Sequence, residues 1–156
     1  MDRITVAIAS LDGSETTACL NMLRPYANIA VLVRTERGDA LVSSMRHLKP
    51  RILLLRIELC TDSDTCLLQT LRRECPETLV LLLAHHSIRR DQLAQAVAIG
   101  ARGYLDQHDI ERRLANAVRL LDGGEAWVPR KMLGTIMEMA FPDRSVTPAI
   151  DATHPD

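Results

Sequence analysis

Polar residues that directly follow apolar runs are the chain's first candidates for chemistry. The clearest run, Ile52-Leu53-Leu54-Leu55, has the composition of a buried strand and ends in Arg56. A guanidinium stays protonated in proteins, so it cannot attack a phosphoryl group and it repels a bound cation. This position therefore cannot supply a nucleophile or a metal ligand.

The remaining polar candidates form no familiar catalytic pattern. Besides the adjacent His85 and His86, only four acids near predicted strand ends are suited to proton transfer. These acids are Asp12, Glu58, Asp62 and Asp64. No Ser-His-acid spacing, glycine-rich phosphate loop or metal-ligand motif accompanies them. We therefore expect no enzymatic activity, no cofactor and no metal site.

Short apolar runs alternate with longer segments of helical period along the chain. The predicted strands are residues 4–9, 29–33, 52–55, 79–83 and 103–105. Helical stripes are marked by Leu41, Met45 and Leu48, by Leu67, Leu68, Leu71 and Cys75, by Leu93, Ala96, Val97 and Gly100, and by Ile110, Leu114, Val118 and Leu121. This alternation predicts an α/β fold with a doubly wound parallel sheet.

In such a sheet, functional groups are expected beyond the carboxyl ends of the strands, beside the topological switch point. That end holds Ser10, Leu11, Asp12, Arg56, His85 and Gln107.

Charge and composition restrict the partners. The formal net charge is -1 over 156 residues, which argues against broad attachment of this segment to DNA or to an anionic membrane. The N-terminus has no signal-peptide pattern, so we expect a cytoplasmic protein. The four cysteines lack the paired spacing of zinc or thioredoxin-like motifs and are interpreted as small apolar fillers. A redox-sensing role for Cys60 and Cys66, which flank a predicted exposed loop, is the alternative.

The C-terminal part divides into a helix and a tail. Residues 1–125 are expected to form the main domain, and residues 126–141 an additional helix that begins near Trp127. Apolar residues on this helix exceed one face, which favours a homodimer contact; the candidates are Met132, Leu133, Ile136 and Met137. The segments around Leu93 and Leu114 are the alternative dimer surface. Residues 142–156 are expected to be a flexible tail or linker.

Two segments carry a resemblance to a known family. Gly100-Ala101-Arg102-Gly103-Tyr104-Leu105, followed by Gly123-Gly124-Glu125-Ala126-Trp127, resembles response-regulator receiver domains of the NarL type. The resemblance implies a flavodoxin/CheY-like (βα)5 fold with strand order 2-1-3-4-5 and an additional C-terminal helix. It also implies a two-component signalling protein that regulates transcription, with a DNA-binding domain missing from this chain.

The family's reaction centre is altered at every position. Receivers use two acids after the first strand, a phosphoacceptor Asp ending the third, a Thr or Ser ending the fourth and a Lys after the fifth. The corresponding residues here are Ser10, Leu11, Arg56, His85 and Gln107. Mg²⁺ needs carboxylate oxygens, so the resemblance implies a degenerate pseudo-receiver that works without phosphorylation. An unpaired, partly buried Arg56 would be costly, and we expect Asp12 or Glu58 to neutralise it.

Two other functions stay open. Trp127-Val128-Pro129-Arg130 resembles the Trp-x-(Thr or Ser)-Arg motif of receiver-like regulators that bind cyclic di-GMP, although Pro129 replaces the hydroxyl residue. Trp127 and Arg130 would then contact the nucleotide; the alternative is that Trp127 anchors a helix. The second possibility is a phosphorylatable receiver with an unusual acceptor. The pseudo-receiver interpretation leaves a protein partner, a ligand or self-association as the regulating event.

Overall fold

The computed structural model describes residues 3–9, 13–57, 67–84 and 90–128, together with Gly134, Met137 and Glu138. The strands are β1 (Ile4–Ala9), β2 (Ile29–Arg34), β3 (Ile52–Arg56), β4 (Leu79–Ala84) and β5 (Gly103–Asp106). The helices are α1 (Gly13–Leu23), α2 (Gly38–Leu48), α3 (Leu67–Glu74), α4 (Arg90–Ile99) and α5 (Ile110–Asp122). A single 3-10 turn, Gln107–Asp109, connects β5 to α5.

The strands form one parallel sheet in the order β2-β1-β3-β4-β5. The predicted fold class and strand order are thus confirmed, and all five predicted strands are present. β1 has the predicted bounds, and each other strand extends one residue further, to Arg34, Arg56, Ala84 or Asp106. At Arg34, Arg56 and Asp106, apolar periodicity misses the last residue because the backbone ladder continues into a polar side chain; Ala84 is instead buried in the core.

Each face of the sheet has its own core. Alternate strand residues such as Leu53, Leu55 and Leu82 pack against α2, α3 and α4. The other strand residues, including Ile8 and Leu54, pack against α1 and α5. The strands read as continuous apolar runs because both faces are covered, as is usual for parallel sheets.

The predicted helical stripes lie in these cores wherever their side chains are described. Leu41 and Met45 of α2 are fully buried. The apolar stripe residues predicted for α3 and α5 are each at most 7% exposed. Leu114 is 1% exposed inside the protein's own core, so it cannot itself form the alternative dimer contact. The side chain of Leu93 lies outside the described residues.

The additional C-terminal helix is represented by Gly134, Met137 and Glu138, which are helical. The boundaries proposed at residues 125, 126, 141 and 142 stay predictions. Within the described ranges, no helix combines the length and the apolar character required to cross a membrane.

Candidate functional site at the carboxyl edge of the sheet

Arg56 lies at the centre of the sheet's carboxyl edge. It is the last residue of β3, which lies between β1 and β4, and it pairs in register with Leu83. The next backbone N–H, that of Ile57, donates to the carbonyl oxygen of Leu83 at 3.0 Å. Alternate side chains of a strand point to the same face of the sheet. The Arg56 side chain is therefore directed to the same face as Ile52 and Leu54, which is the face covered by α1.

A buried acid on α1 neutralises Arg56. Nη1 of Arg56 lies 3.1 Å from Oε1 of Glu15, and the two side chains are 23% and 5% exposed. Glu15 is in the first turn of α1, where the helix dipole favours a negative charge. The expected neutralisation of Arg56 is observed with a residue that the sequence analysis did not name, whereas Asp12 and Glu58 lie outside the described residues.

A sequence signal for Glu15 does exist. Glu15, Cys19 and Leu23 recur every four residues, and all three are buried on one stripe of α1. An acid at the start of an otherwise apolar stripe must find a counter-charge inside the fold, because burying an unpaired carboxylate is costly. The stripe itself does not reveal which basic residue, distant in the sequence, is that partner.

The buried cysteines behave as apolar fillers. Burial, and secondly the nearby Glu15 carboxylate, raise the pKa of the Cys19 thiol to about 12. Burial, followed by the charge of Glu77, also raises the pKa of Cys75. Thiols that stay protonated are poor nucleophiles, and both residues lie within the two cores. Cys60 and Cys66 lie outside the described residues.

The other predicted edge positions are only partly described. Ser10 and Leu11 follow β1 and His85 follows β4, and all three lie outside the described residues. Gln107 begins the 3-10 turn after β5, although its side chain is not described. β1, β4 and β5 end at the same edge of the sheet as Arg56, and Gln107 directly follows β5 there.

Among the described residues, those at this edge do not fit Mg²⁺, the ion that the receiver fold implies. Ser10 and Leu11 provide no carboxylate after β1, and a guanidinium ends β3. Glu15 is the buried acid beside it, and its carboxylate is already bound by Arg56. A hard cation needs several anionic oxygens and would be repelled by the arginine. In the described part of the chain, no cluster of three or more His, Cys, Asp or Glu could hold a metal.

Trp127 is held on the outer strand of the sheet. Its N–H donates to the carbonyl of Arg102 at 3.2 Å, and its own carbonyl accepts from Tyr104 at 3.0 Å, which makes a parallel bridge with Gly103. The Arg102 guanidinium donates to the carbonyls of Gly124 and Glu125. We call residues 126–128 the β5 strap. The half-buried indole packs against the core of α1 and α5.

The two segments that carry the resemblance are therefore in direct contact, through the β5 strap. Arg130, the other candidate nucleotide ligand, lies outside the described residues. Met137 is 42% exposed, and the other candidate dimer residues, Met132, Leu133 and Ile136, also lie outside the described part.

Solved structures place this architecture among receiver domains. The isolated receiver domain of RcsB from Salmonella enterica serovar Typhimurium aligns with a TM-score of 0.73 at 16% identity, covering 87% of this chain and 99% of that one. The chain has the receiver fold. The NarL receiver domain of Mycobacterium tuberculosis aligns at 0.62 and 16% identity, covering 76% of this chain and 98% of its own length.

A LuxR-family response regulator from Aurantimonas is similar as well. It aligns with a TM-score of 0.72 at 13% identity, covering 89% of this chain and 99% of that one. No protein-family model matches the sequence, and no curated protein matches it. The likeness to receivers therefore lies in the fold, and functions must be argued from this chain's own residues.

Proposed function

We propose that this chain is a receiver-like regulatory and self-association module of a NarL-type transcription regulator, and that it works without phosphorylation. The observation that carries the proposal is the Arg56–Glu15 ion pair at the carboxyl edge of the sheet. A phosphorylatable receiver would place an aspartate where Arg56 lies. The proposal includes a cytoplasmic location and contact with DNA only through a separate domain.

The ion pair opposes phosphoryl transfer in two ways. The arginine side chain has no oxygen atom and its guanidinium stays protonated, so no acyl phosphate can form at this position. Transfer from a phosphodonor also needs Mg²⁺ to neutralise the developing charge, and the described residues at this edge do not provide its ligands. Regulation must then act through a ligand, a partner or the dimer equilibrium.

Incubation of the chain with acetyl phosphate and Mg²⁺, followed by intact mass measurement, should give no phosphoryl adduct. The receiver domain of RcsB, which has been solved with the phosphomimetic BeF3-, provides the positive control under the same conditions. A stoichiometric adduct on an aspartate of this chain would contradict the proposal and favour a phosphorylatable receiver with an unusual acceptor.

Self-association is proposed to use the additional C-terminal helix that follows the β5 strap. Met137 is one of the few large apolar side chains exposed in the described residues, with Val33 and Leu120. A structure of RcsB contains dimers bound to DNA, which supports a dimer for a module with this fold. The candidate contact residues are Met132, Leu133, Ile136 and Met137.

Light scattering of the full chain should show a dimer that Met137→Lys converts to monomer, because a charge buried at an interface without a partner is costly. Val33→Lys, a change of an equally exposed residue on β2, should leave the dimer intact. Leu120→Lys tests the surface of α5. A wild-type chain that is only monomeric at high concentration would contradict self-association, and disruption by Leu120→Lys alone would assign it to α5.

A further inference from the structure

A cavity at the β5 end of the same edge combines opposite charges with aromatic surface. It has a volume of about 460 Å³, and its lining includes Tyr104, Asp106, Asp109, Arg113 and Trp127. This volume lies in the range of small-molecule sites, which are typically apolar clefts with a few placed polar groups. The β5 strap forms one wall, through Ala126, Trp127 and Val128.

Two charged residues in the lining, Asp109 and Arg113, make no ion pair with the described residues. Asp109 precedes α5 as its N-cap, yet its side chain makes no capping hydrogen bond. Arg113 lies one turn along the same helix, a spacing at which opposite charges commonly pair. Among the described residues, however, neither Asp109 nor Arg113 takes part in an ion pair within 4.0 Å. One oxygen of Asp106 accepts the N–H of His108 at 2.9 Å.

The pattern of charges selects a class of ligand. Two carboxylates favour an ammonium group, Arg113 favours a carboxylate, and Trp127 offers ring surface for an apolar body. The same two carboxylates oppose a dianionic dinucleotide, because like charges that lie close together in a cleft repel. We propose that this cavity binds an aromatic zwitterion of the amino-acid class, with its ammonium on Asp106 and Asp109 and its carboxylate on Arg113.

Trp127 provides a direct reporter, since it is the only tryptophan in the chain and lines the cavity. L-phenylalanine, which does not interfere with indole emission, should change the Trp127 fluorescence saturably. Phenethylamine and phenylacetate, which each lack one of the two charges, should bind about tenfold more weakly, because a hydrogen bond to a charged group contributes about 1.5 kcal/mol or more. Cyclic di-GMP should give no saturable change.

Variants separate the two charged contacts. Asp109→Asn should weaken phenylalanine and phenethylamine about tenfold, whereas Arg113→Gln should weaken phenylalanine about tenfold and leave phenethylamine unchanged. Glu111→Gln, an exposed residue of the same helix that is not in the lining, is the matched control and should change neither.

Three results would overturn the proposal: no saturable response to phenylalanine, equal affinity for phenylacetate and phenylalanine, or a response to cyclic di-GMP that exceeds that to phenylalanine. The inference does not depend on the absence of phosphorylation. A failed titration together with an unmodified mass after acetyl phosphate treatment would therefore reject the ligand and retain the proposed function.

Discussion

Replacement of Glu15 by glutamine should lower the free energy of unfolding by about 2 kcal/mol. The change keeps the size of the side chain but removes the Glu15 charge that lies 3.1 Å from Arg56, which is 23% exposed. Exposed pairs contribute about 0–1 kcal/mol, and removing one partner of a fully buried pair costs roughly 3–5 kcal/mol. The partly buried geometry here places the expected effect between these limits. Urea denaturation at neutral pH would measure it.

Glu111→Gln is the matched control for this measurement. Glu111 also lies in the first turn of a helix but is exposed, so its replacement reports the loss of a helix-dipole contact alone, at most about 1 kcal/mol. Combining Glu15→Gln with Arg56→Met should cost less than the sum of the two single changes, because the cation is removed with its partner. Equal effects of Glu15→Gln and Glu111→Gln would show that the ion pair does not stabilise the edge.

A methyl group at Gly103 should detach the β5 strap. A Cβ atom built there would lie 2.5 Å from the Trp127 carbonyl oxygen and 2.9 Å from its nitrogen, and such backbone atoms cannot move without breaking the bridge. We expect Gly103→Ala to cost about 2 kcal/mol, as overpacking commonly does. The Trp127 emission should also shift to the red as the indole becomes hydrated.

Gly123→Ala distinguishes this clash from a general effect of replacing glycine. A Cβ atom at Gly123 would meet its nearest neighbour, the Leu120 carbonyl oxygen, at an ordinary 3.5 Å, and its φ of -78° suits any residue. Gly123→Ala should therefore leave both stability and emission nearly unchanged. If both glycine variants behaved alike, the close approach of the β5 strap to β5 would not be the cause.

The fold was predictable from sequence because its strands are short, strongly apolar and buried on both faces. Runs such as Ile52-Leu53-Leu54-Leu55, separated by turn residues, leave few alternatives to a parallel sheet. The ends of the strands were less predictable, since Arg34, Arg56 and Asp106 continue the backbone ladder with polar side chains. The apolar pattern of a sequence predicts which residues are buried, but it does not predict where the backbone hydrogen bonds of a strand end.

The sequence predicts where the site lies in the fold, but it does not predict which residue pairs with Arg56. The carboxyl edge and Arg56 follow from the order of elements, whereas Glu15 depends on how α1 packs over β3, which no local pattern encodes. For Trp127 the sequence indicates a helix anchor or a nucleotide ligand, and it does not predict the backbone bridge to Gly103. A glycine inside a strand is a known sign of close backbone approach, so Gly103 did carry that signal.

The β5 strap has a mechanical consequence. Two main-chain hydrogen bonds, from Trp127 to Arg102 and from Tyr104 to Trp127, join the chain just before Val128 to the outermost strand. A displacement of Val128 is thus transmitted directly to β5, and these two bonds must break before Val128 can move independently of the strand. A force applied at Val128 would therefore act on the sheet first at β5.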